Sequence, residues 1–253
     1  MKAVILSAGQ GRRLMPLTEN RPKCALEIHG RAMLRWQLGE LAQCAIDEIV
    51  VVTGFHADVV QSIVDHAPEV APGVSVRTFH NPFYAKSDNL GTCWIAREEM
   101  REPFVIINGD TLFEAAIMQR LLASEETAPI TLVTDVKRAY DDDDMKVIER
   151  GGRLQRVGKK LTGAGVNAES IGMMVFRGDG PDLFRAKIEA IMAQEDGLKR
   201  WYLSAIDELA QEGHVAVCCI EGLSWCEVDD RADLELAAHV LAEWYPEAEE
   251  AAL

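Results

Sequence analysis

Residues 3–23 read Ala3-Val4-Ile5-Leu6-Ser7-Ala8-Gly9-Gln10-Gly11-Arg12-Arg13-Leu14-Met15-Pro16-Leu17-Thr18-Glu19-Asn20-Arg21-Pro22-Lys23. The opening run Ala3 to Leu6 is continuously apolar, as expected of a strand buried on both faces of a parallel sheet. The glycines after it leave backbone N–H groups uncovered, so an anion can approach them without meeting a Cβ. Arg13 and Lys23 bring positive charge to the same loop. The stretch therefore reads as a phosphate-handling loop that follows the first strand of an α/β fold.

Two common phosphate-binding patterns fail on spacing. A dinucleotide fingerprint needs a third glycine at position 14 and an acidic residue closing the second strand. Position 14 is Leu14, and the second apolar run, Glu48 to Thr53, leads into Gly54-Phe55-His56. A Walker-type loop, Gly-x4-Gly-Lys-Ser/Thr, occurs nowhere in the chain.

Farther along, apolar runs alternate with amphipathic segments as in strand-helix-strand units. Strands are predicted near 2–7, 48–53, 74–79, 104–108 and 130–134, with helices near 33–44, 57–65, 91–100 and 114–123. After Thr134 the texture changes. Asp141 to Asp144 is an acidic loop, in which Asp141 to Asp143 is expected to be solvated and not a metal site, because charge runs usually stay in water. Met145 to Ile148, Leu154 to Val157 and Ser170 to Phe176 read as a mixed strand region. Helices near 182–194 and 201–212, a strand near 215–220 and a helix near 231–244 complete the pattern, and Glu247 to Leu253 is expected to fray.

Composition narrows the partners. The 253 residues are enough for one large core, and the formal net charge of −15 argues against nucleic acid or an anionic membrane. An anionic substrate must then be held by local cations. No segment approaches a membrane span, and the first apolar run is too short for a signal peptide. Six cysteines without Cys-x2-Cys spacing suggest reduced thiols and a cytoplasmic setting.

A second constellation closes the strand Phe104-Val105-Ile106-Ile107-Asn108 with Gly109-Asp110-Thr111. Ligands of open parallel sheets bind beyond the carboxyl ends of the strands, where Asp110 would project; a turn or helix cap is the plainer reading of such an aspartate. In Trp225-Cys226-Glu227-Val228-Asp229-Asp230, Glu227 and Asp229 lie two apart on an extended segment and point to one side.

The first loop closely resembles the signature of nucleotidyltransferases that activate sugar phosphates and related phospho-alcohols, Leu-x-Ala-Gly-x-Gly-Ser/Thr-Arg-Leu/Met-x-Pro-Leu-Thr followed by Pro-Lys, with Arg12 at the Ser/Thr position. Glu227-Val228-Asp229-Asp230 stands where sugar-1-phosphate enzymes commonly show Asp-x-Gly-Thr, and it looks like the phosphocholine cytidylyltransferase branch. Asn81-Pro82-Phe83-Tyr84 with Ser87-Asp88-Asn89-Leu90, Asp144-Met145-Lys146-Val147 and Glu169-Ser170-Ile171-Gly172 point the same way, although the branch's usual Asn-Asn pair is Asp88-Asn89 here. The resemblance implies a three-layer Rossmann-like α/β/α fold with a mostly parallel mixed sheet. It implies a single domain over 1–253, divided into a nucleotide-binding half (1–135), an acceptor-binding half (136–230) and a C-terminal helix and tail (231–253).

The chemistry so implied is Mg²⁺-dependent transfer of CMP from CTP to a small phosphorylated acceptor, with release of pyrophosphate. By resemblance, Arg13 serves the β- and γ-phosphates, Lys23 the phosphates near the α-phosphorus, and Asp110, Glu227 and Asp229 the metal. Leu6, Ala8, Gly9, Gly11, Arg12, Tyr84, Ser87, Asp88, Asn89 and Asp110 complete the nucleotide site. Lys159 is the better match to the lysine aimed at the acceptor phosphate, with Lys146 the alternative. Glu169, Trp201 and Tyr202 are candidates for the acceptor's other end; Trp201 and Tyr202 are adjacent on a helical pattern, so at least one should be core. The helices of 182–212 either cover the acceptor pocket or make a homodimer contact. Two other readings are a sugar-1-phosphate nucleotidyltransferase and a nucleotide-sensing protein without turnover.

Overall fold

The structure, a computed structural model, describes residues 1–246; the expected fraying of 247–253 lies outside them. In chain order the elements are β1 (Lys2–Ser7), β2 (Glu27–Ile28), β3 (Arg31–Ala32), α1 (Met33–Leu41), β4 (Glu48–Thr53), α2 (Ala57–Asp65), β5 (Ser75–His80), α3 (Asn89–Ile95), β6 (Phe104–Asn108), β7 (Thr111–Phe113) and α4 (Ala115–Leu122). They continue with β8 (Ile130–Asp135), β9 (Lys146–Arg150), β10 (Arg153–Val157), β11 (Ala168–Phe176), α5 (Gly180–Met192), α6 (Leu203–Gln211), β12 (Val215–Cys219), β13 (Trp225–Glu227) and α7 (Arg231–Trp244).

Nine strands form one sheet in the order β5-β4-β1-β6-β11-β8-β12-β10-β9. Strands β5, β4, β1 and β6 are parallel to one another, and in the whole sheet only β10 and β11 run against the rest. Side chains alternate across β1: Val4 joins the core under α3, α5 and α6, while Ala3 and Ile5 join the core under α1, α2 and α4. These two apolar layers make the fold an α/β/α sandwich. Phe104 stacks on Phe176 with ring centroids 4.4 Å apart, and Phe184 packs tilted against Phe176 at 4.8 Å, which pins α5 to the sheet. Such pairs add about 0.5–1.5 kcal/mol to the area they bury. No described helix is long and apolar enough to cross a membrane.

Helix α1 stops at Leu41 instead of 44, because residues 42–46 turn back on short-range bonds such as Cys44 N–H to Leu41 O at 3.0 Å. The helix expected over 91–100 is α3 followed by a 3₁₀ turn, Arg97–Met100, where the Arg97 side chain takes the Trp94 carbonyl at 2.8 Å. Two ribbons, β2-β3 and β7-β13, have no sequence counterpart, since strands of two or three residues are too short to show a period. A third apolar cluster joins them to α7 and to the first loop through Leu14, Ile28, Leu112, Cys226, Val228 and Leu241.

The Glu169-Ser170-Ile171-Gly172 motif is a bulge: the register of β11 against β8 shifts between Ser170 and Met174. Gly172 has φ +73°, and a Cβ there would run into the Asn108 side chain. Gly172→Ala is therefore expected to destabilise the fold by about 1–3 kcal/mol, read as a lowered urea midpoint; an unchanged midpoint would show that Asn108 moves aside freely.

Candidate active site

The ends of β1 and β6 lie side by side, with Leu6 opposite Asn108. Gly109 N–H donates to Leu6 O at 3.1 Å, and a Cβ on Gly109 would sit 2.5 Å from Ser7 Oγ, so this close approach requires glycine. The turn that follows is held from below by buried Gln37, whose Nε2 donates to the carbonyls of Asn108 and Thr111 at 2.9 and 2.8 Å. Asp110 is thereby presented above the strand ends.

The other two carboxylates arrive on β13, which pairs antiparallel with β7 and sets Glu227 opposite Thr111. Val228 N–H donates to Asp110 O at 3.1 Å. Along 226–229, Cys226 and Val228 are buried in the cluster under α7 while Glu227 and Asp229 face the other way. Asp229 is fixed by its N–H bond to Asp233 Oδ2 at 2.8 Å, and Asp230 caps α7 in a capping box with Asp233. Asp110, Glu227 and Asp229 thus each bring one oxygen within 4.8 Å of the others, a set that could hold a hard divalent cation.

Lys23 enters this cluster. Its Nζ lies 2.6 Å from Asp110 Oδ2 and 2.7 Å from Asp229 Oδ1. Gly11 makes room for it: at φ +60°, a Cβ there would meet Lys23 Cβ at 3.1 Å. Burial works against the charged lysine, yet Asp110 and Asp229 hold its ammonium above the usual range. Burial likewise opposes ionisation of Asp229, and Lys23 and Arg13 nevertheless keep that carboxyl low. Glu227 has no such partner among the described residues. Desolvation in the crowded cleft, with Asp110 and Asp229 beside it, pushes Glu227 up to about 8 even though part of the side chain meets solvent.

Arg13 is bonded to Asp229 and, at 3.1 Å, to Asp143 Oδ2. Lys159 Nζ lies 3.5 Å from Asp143 Oδ1 and 5.4 Å from the centre of the Trp201 ring. Asp141 to Asp143 are exposed, as a solvated loop should be, while Asp144 is largely covered beside Lys137; Asp143 leans into the site and bridges two of its cations.

Next to Asp110 opens a cavity of about 220 Å³. Of the expected nucleotide residues, Leu6, Ala8, Gly9, Tyr84, Ser87, Asp88, Asn89 and Asp110 all line it. Gly11 and Arg12 do not; Gly11 packs on Lys23, and exposed Arg12 bonds Gln10 at 2.7 Å. Thr92, at the branch's usual serine position, lies on the same wall, and so do Asn108 and Gly109, which sequence reasoning left out of the nucleotide set. The signal for Asn108 and Gly109 was their adjacency to Asp110.

Two acceptor-side assignments need correction. Tyr202 is fully buried, its hydroxyl donating to Asn108 Oδ1 at 3.0 Å, so it supports the site from within and forms no wall of an acceptor pocket. Lys146 is buried and donates to the Lys159 carbonyl at 2.8 Å, which commits it to shaping the Lys159 turn. Glu169 is buried against Lys137, 3.1 Å away, at the floor of an acidic cleft of about 680 Å³ that also contains Arg13, Asp143, Glu227 and Asp229. Lys159 and Trp201 stay accessible and flank a further, mainly apolar pocket of about 380 Å³.

A nucleotidyl transferase family model matches residues 2–228, and the chain belongs to that family. It is 29% identical over 92% of its length to CMP-5'-(3-aminopropyl)phosphonate synthase of Streptomyces rubellomurinus, of which the match covers 37%. It is 24% identical to CTP:phosphoglutamine cytidylyltransferase of Campylobacter jejuni over 93% of this chain and 98% of that one. Its fold superposes on inositol-1-phosphate CTP transferase from T. maritima with a TM-score of 0.80 at 18% identity, covering 96% of this chain and 95% of the other. Within the family the chain resembles the cytidylyltransferase branch. It spans little more than a third of the first of these relatives.

Two outcomes follow from the charges. Removing the Asp143 charge in Asp143→Asn should free Lys159, leave Arg13 with Asp229 alone and tighten pyrophosphate binding roughly 1.5- to 5-fold, the scale of an exposed ion pair; calorimetry would read this, and weaker binding would contradict it. Burial pushes Glu169 up to about 7 against the pull of Lys137. A carboxyl raised in the folded state ionises first in the unfolded chain, so stability attributable to Glu169 falls as pH rises from about 4.5 to about 7. In urea melts, Glu169→Gln should gain on the wild type between pH 4.5 and pH 7.5; a constant difference would refute the assignment.

Proposed function

We propose that the chain is a Mg²⁺-dependent cytidylyltransferase that transfers CMP from CTP to a small phosphorylated alcohol or phosphonate and releases pyrophosphate. The observation that carries this reading is the position of Lys23 between Asp229 and Asp110, the latter on the wall of the cavity that Leu6, Ala8 and Gly9 also line. Catalysis of phosphoryl-type transfer is mostly positioning and neutralisation of charge, and this site consists of little else. The names of the Streptomyces and Campylobacter relatives support cytidylyl transfer to a phosphonate or phosphate acceptor.

An oxygen of the acceptor phosphate attacks the α-phosphorus in line; the new P–O bond forms as the bond to the bridging α-β oxygen breaks, and the electron pair leaves with pyrophosphate. Lys159 holds the acceptor phosphate, Lys23 the oxygens around the α-phosphorus, and Arg13 the leaving pyrophosphate. Asp110, Glu227 and Asp229 would hold Mg²⁺, which neutralises charge on the phosphate oxygens. The fit rests on the donor set: three carboxylates close together, of which Glu227 lacks a cationic partner and Asp110 keeps one buried, unbonded oxygen, Oδ1. Carboxylates dominate the neighbouring cleft, including Asp141 to Asp144 and Glu169, and this favours an acceptor whose far end is an amine.

The direct test is pyrophosphate release with Mg²⁺ from CTP, UTP, GTP, ATP and dTTP, each against phosphocholine, phosphoethanolamine, 2-aminoethylphosphonate, inositol phosphate, glycerol phosphate and sugar-1-phosphates. CTP with a non-sugar acceptor is the expected pair, and Lys23→Ala should lower its turnover by roughly 10²- to 10³-fold. Turnover confined to a sugar-1-phosphate and another nucleotide would overturn the reading, as would unimpaired Lys23→Ala.

A further inference from the structure

We infer that the apolar pocket flanked by Lys159 and Trp201 is a second ligand site, for a small amphipathic anion with an aliphatic body and a phosphate-like head, and that this head competes with the acceptor for Lys159. The competition rests on the role given to Lys159 above; the binding does not. The pocket, of about 380 Å³, lies between the turn after β10 and the segment 199–204 that leads into α6. A cavity of that size suits a small molecule.

Its charge is the reverse of the molecule's. In a chain with 41 acidic and 26 basic side chains, Lys159, Lys160, Lys199 and Arg200 line this pocket and no acidic residue does. Arg200 is spent on Glu208, Gln194 and Ser204. Lys159 has one exposed partner, Asp143 at 3.5 Å. Exposed Lys160 and Lys199 pair with no carboxylate among the described residues. An anionic head is therefore attracted to the rim and meets no fixed negative charge there.

The walls select against a sugar or polyol body. Met145, Val157, Leu203 and the Trp201 ring form them, and the uncharged donors nearby are taken. Gly158 N–H donates to Lys146 O at 2.9 Å, Val157 N–H to Asp207 Oδ1 at 2.8 Å, and the Ser204 hydroxyl to Trp201 O at 2.7 Å. A ligand hydroxyl buried here would lose its water with little in return, whereas each methylene gains from burial. The net charge of −15 repels an anionic bilayer, so the ligand is a dissolved molecule and not a lipid within a membrane. Trp201 joins this pocket to the active site, with its ring 5.4 Å from Lys159 Nζ and its indole beside Asp88 on the nucleotide wall. A head held by Lys160 and Lys199 draws Lys159, on its flexible stem, off exposed Asp143.

Calorimetry with butyl, hexyl and octyl phosphate, each below the concentration at which it aggregates, tests the site. Kd should fall roughly 3- to 4-fold per added methylene. The double variant Lys160→Glu, Lys199→Glu, changed at exposed positions only, should bind octyl phosphate roughly 2- to 25-fold more weakly, the scale of two exposed ion pairs. A Kd independent of chain length overturns the site, as does an affinity unmoved in the double variant or binding to anionic vesicles without binding of the monomers. In the pyrophosphate-release assay octyl phosphate should raise the acceptor's KM and leave kcat in place; a lowered kcat at constant KM overturns the competition for Lys159. A protein that binds the series as expected yet does not turn over CTP sinks the cytidylyl reading and upholds the site.

Discussion

Three carboxylates do not gather within 4.8 Å of one another unless something opposes their repulsion. In this protein the opposing group is the Lys23 ammonium, bonded to two of them. Much of the local architecture serves that contact. Gly11 leaves room beside the lysine, Gly109 lets β6 close against β1, Gln37 braces the turn that lifts Asp110, and Val228 ties the Asp229 segment to the Asp110 carbonyl. Losing one partner of such a buried pair leaves an uncompensated charge, which costs about 3–5 kcal/mol, more than an exposed pair contributes.

The overall field of a chain with net charge −15 repels phosphate, so attraction has to be arranged locally. Arg13, Lys23 and Lys159 converge from the first loop and from the turn after β10, and each is matched by a carboxylate in this structure. Those carboxylates divide into two kinds. Asp110 and Asp229 are partly buried and backed by hydrogen-bonded backbone; Asp143 is exposed on a loop. A polyphosphate can displace Asp143 at small cost, because an exposed pair contributes only about 0.2–1 kcal/mol. The buried pair has to be rearranged or extended by a cation instead of displaced. That asymmetry separates the permanent half of the site from the exchangeable half.

The sheet strands and long helices were legible because each is long enough for apolar periodicity to register, and the loop between β1 and α1 was legible because its glycines and cations occupy fixed positions in a known signature. Glu227 and Asp229 could be placed on one face from period two alone. What sequence could not give was set by contacts that local periodicity does not encode. Tyr202 and Lys146 carry the polar groups of a binding residue, yet Tyr202 reaches inward to Asn108 and Lys146 to the Lys159 carbonyl. Local pattern contains no information about which side of a turn packs against a strand more than ninety residues away. Asp143 is the converse case, read as a member of a charge run while the fold points it at two cations.

The alternation at 226–229 also explains why catalytic and structural constraints cannot be separated here. Cys226 and Val228 anchor α7 to the core beneath the first loop, and the intervening side chains are the carboxylates of the site. A slip of one residue between β13 and β7 would bury Glu227 and Asp229 in that cluster and expose Cys226 and Val228 to the cleft. Burying two unpaired carboxylates costs several kcal/mol each, so the slipped register is excluded by the same charges that do the chemistry. Lys23 gains a fixed target from this arrangement, and the β7-β13 ribbon gains a register lock where its three-residue strands supply few backbone bonds of their own.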